Sequence, residues 1–227
     1  MRVISYNLRK HRARGELEAL ARDFDADLIC LQECRTEDLP DMLGTLQLAD
    51  TTKTNRLGLA VYARKDRFTI NETQSFALKK SLHDRLLSPA HERLIGTSVM
   101  DNETKHEVVI GTFHAAPLTA SNSLRRHQIH HAHSELHSLG GVAAATLMVG
   151  DFNYPFFTRN LNAHMEQSGY DLSLSDERTY TRYIVFRGHF DFATSQGIRV
   201  GSVETLPRGD SDHRPILITA EYMPAGE

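Results

Sequence analysis

Apolar and polar positions along the chain follow two interleaved periods. Short runs of aliphatic, aromatic and β-branched residues predict strands, and apolar residues at three- and four-residue intervals predict helices. Val3–Asn7 is an expected strand, followed by a helix from about Glu16 with Leu17, Leu20, Ala21 and Phe24 on one face. Leu28–Glu33 is nearly all apolar, the pattern of a strand buried on both faces. Leu57–Arg64, Leu94–Met100 and Val108–His114 are further expected strands, the last two joined by a turn at Asp101–Asn102. A second helix is predicted over Leu124–Leu139, where Ile129, Ala132, Leu136 and Leu139 stack and Gly140–Gly141 closes the run. Thr146–Asp151, Phe190–Thr194 and Pro215–Glu221 complete the strands. No repeat, low-complexity tract or linker breaks the alternation, so a single α/β domain over 1–227 is expected.

Several strands end in residues that packing does not require. Asn7 closes the first strand, Glu33 the second, His114 the strand at 108–114, and Asp151 with Asn153 the strand after the second helix. The ends of strands and the loops beyond them are where α/β sheets present ligands. Val149–Asn153 sets a carboxylate and a carboxamide two residues apart, which suits a hard cation or a bound water, although Gly, Asp and Asn also form turns. Ser211–Pro215 adds Asp212, an oxygen ligand, and His213, a proton donor near neutral pH. Glu33 at the end of a buried strand needs a compensating charge, which either a Mg²⁺ or Mn²⁺ ion or an arginine supplies.

Composition limits the alternatives. Of 227 residues, 40% are hydrophobic and 24% charged, enough to bury a core without disulfides. The net charge of -3 excludes a strong overall field toward nucleic acid or anionic lipid, but not a local patch such as Arg9, Lys10, His11, Arg12 and Arg14. Such a run is either a solvated loop or a polyanion contact. Cys30 and Cys34 on one strand stand about 13 Å apart at ~3.3 Å per residue, too far to bridge. With no signal-like start and no apolar run near ~20 residues, a cytoplasmic, monomeric protein without membrane insertion is the expectation.

The runs Ile4–Asn7, Leu31–Glu33, Gly111–His114, Gly150–Asn153, Phe190–Phe192 and Ser211–Pro215, in that order from residue 4 to 215, resemble the endonuclease/exonuclease/phosphatase superfamily. The resemblance implies a four-layer α/β sandwich: two facing mixed β-sheets flanked by helices, with a metal site at one edge. It implies a Mg²⁺- or Mn²⁺-dependent phosphodiesterase. Glu33 is then the principal metal ligand, with Asn7 and Asp212 beside it. Asp151 activates water, Asn153 and Arg93 hold the phosphate, and Asp191 orients His213. His114 matches the second histidine of the pancreatic-type deoxyribonucleases and the sphingomyelinases. Those deoxyribonucleases support it with a glutamate near the third strand, where this chain reads Thr54–Gly58 without an acid. His114 is therefore expected to lack a carboxylate partner.

Nucleic acid is the expected substrate, a lipid or small-molecule phosphate the alternative, and a non-catalytic binding member the second alternative. The histidines of His127–His137 are expected on the flanks and solvent face of their helix, away from the 129/132/136/139 stripe. Phe156 and Phe157 are expected in the core, and His83 and His91 in a loop bordering the cleft.

Overall fold

A computed structural model describes residues 1–53, 55–81, 92–141, 144–154, 158–180 and 188–223. Phe156, Phe157, His83 and His91 lie outside them. In chain order the strands are β1 Arg2–Asn7, β2 Leu28–Cys34, β3 Met42–Leu43, β4 Leu46–Thr51, β5 Gly58–Arg64, β6 Phe68–Ala77 and β7 Glu92–Asp101. They continue with β8 Glu107–His114, β9 Ala145–Asp151, β10 Asp171–Leu174, β11 Asp191–Gln196, β12 Ile198–Thr205 and β13 Ile216–Tyr222. The helices are α1 Leu17–Asp23, α2 Asn122–Gly140 and α3 Thr158–Gln167.

These strands form two mixed sheets, ordered β12-β13-β1-β2-β5-β4-β3 and β10-β11-β9-β8-β7-β6. Each sheet contains one parallel pair, β1 with β2 and β8 with β9. A parallel pair needs a crossover, supplied by α1 in the first sheet and α2 in the second. Period-2 alternation sorts the side chains into layers. Val3, Leu28 and Cys30 meet Val108, Ile110, Leu147, Val149 and Ala193 between the sheets. Ile4, Tyr6, Ile29 and Leu31 face outward onto Leu17, Leu20 and Ala21 of α1. Val109, Phe113, Met148 and Phe192 face the other way onto Ile129, Ala132 and Leu136 of α2. The order helix, sheet, sheet, helix is the expected four-layer sandwich.

α2 differs from expectation in one respect. Its buried face is Arg125, Gln128, Ile129, Ala132, His133 and Leu136, wider than the apolar stripe alone. Gly96 and Gly111 let Leu136 approach so closely that an added Cβ would lie 2.8 and 2.6 Å from it. At that depth His133 is covered, not solvent-facing as expected. It stacks on Tyr170 with ring centroids 3.6 Å apart, and its Nε2 lies 2.9 Å from the Thr194 hydroxyl. Burial pushes its pKa down to about 3, so it is a neutral core residue. Both cysteines are free and buried, as the strand spacing required.

Candidate active site

The parity that builds the layers also builds the site. Along β8 the inward positions run Val108, Ile110, Thr112, His114; along β9, Leu147, Val149, Asp151; along β11, Asp191 and Ala193. Pairing sets Asp191 directly opposite Asp151, and Asp151 opposite His114. Three reactive side chains therefore stand in one row across neighbouring strands. Asn7 ends β1 on the facing sheet, and its Nδ2 donates to Asp151 Oδ2 at 3.0 Å.

Glu33 has the wrong parity for the inter-sheet space in a regular strand. A register shift between Leu31 and Cys34, with Glu33 at φ 53°, re-aims it. Its Oε2 accepts the Lys10 N–H at 3.0 Å, and its Oε1 lies 3.9 Å from His114 Nε2. Arg9, Lys10 and His11 are also left-handed, at φ 49°, 56° and 69°. Three such non-glycine residues in a row cost roughly 1–2 kcal/mol each, the kind of strain that accumulates at functional sites. His11 Nδ1 accepts the Arg35 N–H at 3.1 Å, and the His11 N–H donates to Glu33 O at 2.8 Å, which holds the turn closed.

The loop before β13 delivers Asp212 and His213. Ser211 Oγ donates to the Asn7 carbonyl at 2.6 Å, and Glu16 accepts both the Tyr6 hydroxyl and the Asp210 N–H. Gly209 packs beneath that carboxylate, where an added Cβ would stand 1.9 Å from Glu16 Oε2. His213 Nδ1 lies 2.8 Å from Asp191 Oδ2, and its Nε2 lies 3.7 Å from Asp151 Oδ2. His114 Nε2 approaches that same oxygen at 3.6 Å. Asp151 is thus flanked by two imidazoles, and among the described residues Glu33 and Asp151 are carboxylates that face His114. The missing acid at 54–58 is made good by the site itself, which corrects the expectation that His114 stands without one.

Electrostatics follow from this crowding. Burial raises the Asp151 pKa to about 7, helped by the charges of Asp191 and Glu33 and opposed by His213 and the Asn153 N–H. Burial alone works against a charged His213, but Asp191 and Asp151 outweigh it and raise the imidazole far above its ordinary value. His213 is therefore cationic at neutral pH.

Asn153 donates its backbone N–H to Asp151 Oδ1 at 2.9 Å and its Nδ2 to the Ala115 carbonyl at 3.4 Å. Arg93 is 4% exposed, and its Nη1 donates to the carbonyls of His114 and Ala115 at 3.0 and 2.9 Å. It therefore shapes the turn after β8 as well as lining the cavity. Asp212 pairs with Arg9 at 3.5 Å.

Glu33, His114, Asp151, Asn153, Arg93, Asp212 and His213 line one cavity of about 400 Å³, with Asn7 and Asp191 immediately behind. Its donors are hard oxygens in excess of the imidazoles, a set that fits a hard divalent cation. The tightest three-donor group among the described residues is Asp151, Asp191 and His213, with ligand atoms within 4.8 Å of one another. The 2.8 Å contact between Asp191 and His213 already joins two of the three as a hydrogen-bonded pair. Asn7 Oδ1 accepts the Arg9 N–H at 3.0 Å.

Sequence reasoning missed several supports. Thr179 Oγ1 accepts the N–H groups of both Phe190 and Asp191 at 3.1 Å. The Tyr180 ring lies 4.9 Å from His213. Arg125 is buried and donates to the carbonyls of Ala116 and Pro117. Only Ser211 carried a signal, its place beside Asp212. Thr179 and Arg125 act through backbone groups 8 to 12 residues away, and Tyr180 meets His213 across the fold.

A family model described as Endonuclease/Exonuclease/phosphatase family matches residues 4–213. No curated protein matches the sequence. Among solved structures, the chain is similar to a mannosyl-6-phosphatase from Bacteroides thetaiotaomicron at 18% identity and TM-score 0.75, covering 98% of this chain and 100% of that one. It is similar to the human Nocturnin catalytic domain with bound sulfate anion at 13% identity and TM-score 0.75, over 98% and 94% of the two chains. It is also similar to D. rerio TDP2 complexed with single strand DNA product, at 16% identity and TM-score 0.72, over 97% and 98%. At these identities the likeness concerns the fold.

Proposed function

The chain belongs to the Endonuclease/Exonuclease/phosphatase family, a family of phosphoric ester hydrolases, and on that premise we propose that it is a Mg²⁺- or Mn²⁺-dependent phosphodiesterase acting on nucleic acid. The observation that carries this reading is the row Asp191–Asp151–His114 with His213 bonded behind it. Glu33 and Asp212 would hold the divalent cation, which would supply positive charge to a phosphate oxygen and to the attacking water. Asp151 takes a proton from the attacking water as the new P–O bond forms. The opposite P–O bond breaks, and His114 protonates the departing oxygen. Cationic His213, fixed by Asp191, neutralises charge on the equatorial oxygens, and Asn153 positions the phosphate.

Nucleic acid is favoured by the cationic rim. Arg9, Lys10 and Arg12 line the cavity beside Glu33, directly after Asn7. Replacing Lys10 and Arg12 by Gln should flatten the dependence of log KM on log salt for a long nucleic acid by about two units, since each lost phosphate contact removes roughly one. An unchanged slope, with hydrolysis of bis-p-nitrophenyl phosphate intact, would remove nucleic acid from the proposal. A screen of DNA, RNA and small diesters with Mg²⁺ and Mn²⁺ tests the chemistry itself.

Hydrolysis of a small-molecule phosphate is the second reading. The cavity of about 400 Å³ is of small-ligand size, and one similar structure is a mannosyl-6-phosphatase. Faster turnover of sugar phosphates than of any diester would establish it.

A further inference from the structure

We infer that Arg56 binds a second phosphate group of the substrate, one that flanks the phosphate held at Asp151. The inference rests on the phosphoesterase reading and extends it to the substrate's class: an organic molecule or chain carrying at least two phosphates.

Arg56 lies in the segment between β4 and β5, and its side chain lines the same cavity as Glu33, His114 and His213. That segment belongs to the first sheet but is fastened to the second. Asn55 Oδ1 accepts the Glu92 N–H at 3.1 Å, and Asn55 Nδ2 donates to the Glu92 carbonyl. The Lys53 N–H donates to Glu92 Oε2 at 3.0 Å. Glu92 opens β7, and its Oε1 accepts the Ser75 hydroxyl of β6 at 2.5 Å. At the root of the segment, Thr52 and Leu59 exchange two hydrogen bonds of 3.0 Å. The backbone on both sides of Arg56 is therefore tied down, and the anchor residue directly precedes Arg93, whose guanidinium holds the turn after His114.

Arg9 pairs with Asp212, and Arg14 and Arg35 both approach Asp38. Lys10, Arg12 and Arg56 are exposed cations lining the cavity that make no ion pair among the described residues, and of the three Arg56 is the one on the segment fastened to the second sheet. A guanidinium on a fixed backbone, un-neutralised and beside a phosphate site, suits bidentate contact with a second phosphate. Leu57, Pro117, Leu118 and Tyr180 add apolar lining to the same cavity, room for the organic part between two phosphates. A cavity of about 400 Å³ exceeds what one phosphate needs.

The test is binding, read by calorimetry on the whole protein with Ca²⁺ in place of the catalytic ion, so that no probe turns over. The probes are thymidine 5′-monophosphate and thymidine 3′,5′-bisphosphate. Wild type should bind the bisphosphate about tenfold more tightly, on the scale of one charge-assisted hydrogen-bonded contact. Arg56→Gln should reduce that ratio to near one while leaving monophosphate affinity unchanged, Arg56→Lys should retain part of it, and the remote charge control Arg22→Gln should retain all. Equal binding of both probes by wild type, or an unchanged ratio in Arg56→Gln, overturns the inference. Repeating the comparison with oligothymidylate and with fructose 1,6-bisphosphate separates the sources of the second phosphate. Whichever probe loses affinity on Arg56→Gln carries it, and no loss with any probe again overturns it. Failure of every diester to turn over while the ratio stands would refute the catalytic reading and leave the subsite in place.

Discussion

Asp191→Asn isolates a charge while nearly preserving shape. In the native site Asp191 Oδ2 stands 2.8 Å from His213 Nδ1, with both side chains buried. Neutralising one partner of a buried pair removes roughly 3–5 kcal/mol when nothing replaces it. Asparagine keeps a hydrogen-bond acceptor and the ring can become neutral, so a loss of about 2–3 kcal/mol is expected, or about 4–12 °C in Tm for a chain of this length. The sign with pH is fixed by the direction of the His213 shift. Its folded pKa is raised above the ordinary value of about 6.5, toward about 10. The stabilisation is therefore complete below about pH 6.5 and disappears as pH rises through the folded value. The gap in Tm between wild type and Asp191→Asn should be widest near pH 6 and close toward pH 10. In catalysis the same change removes the cation that faces the phosphate oxygens, and kcat should fall by ~10²-fold or more. His213→Ala should be at least as damaging, and the double variant should add little because the two residues act as one unit. Melting curves from pH 6 to 10 and kcat on bis-p-nitrophenyl phosphate measure both effects. Additive losses in the double variant, or a Tm gap that widens with pH, would refute the pairing.

Three further outcomes follow from the geometry. Glu33→Ala should abolish divalent-metal-stimulated hydrolysis while circular dichroism stays native, and full activity in excess EDTA would contradict a metal role. Asp151→Asn should abolish activity yet stabilise metal-free protein at pH 8 by about 1–2 kcal/mol, seen as a higher Tm, because burial raises the Asp151 pKa to about 7 and ionisation then opposes folding; the gain should vanish near pH 3, where the carboxyl is protonated in both states, and a lower Tm at pH 8 would show the ionised form to be compensated. Gly150→Ala should cost more than about 3 kcal/mol, seen as a large fall in Tm or loss of soluble protein, since φ is 147° and the new Cβ would stand 1.9 Å from the Phe113 carbonyl oxygen.

The elements legible in the sequence were those buried on both faces. β1, β2, β5, β7, β8, β9, β11 and β13 occupy positions inside the two sheets, and each has an apolar run. The strands that period and composition did not reveal include all four edges: β12 and β3 of the first sheet, β10 and β6 of the second. An edge strand such as Phe68–Ala77 mixes buried Phe68 and Phe76 with exposed Thr69, Glu72 and Asn71 nearby, so its pattern resembles a polar loop. The site residues were legible for the complementary reason, because a polar residue at the end of a buried run has no packing purpose. What supports them was not: Thr179 and Arg125 act through backbone groups, and Glu92 reaches Asn55 across 37 positions of sequence. Such contacts leave no local period.

The reactive row depends on register more than on the individual side chains. Asp151 faces His114 and Asp191 only because β9 pairs with β8 and β11 in one alignment. A slip of one residue in β9 would turn Asp151 toward α2 and bring Gly150 between the sheets, since successive side chains point to opposite faces. Gly150 opposes that slip. It pairs with Phe113 and passes its carbonyl at a distance no Cβ could tolerate. Any register that sets a larger residue of β9 opposite Phe113 forces the two strands apart. The glycine beside Asp151, easily read as a turn former from its neighbours, is therefore part of what aims that carboxylate.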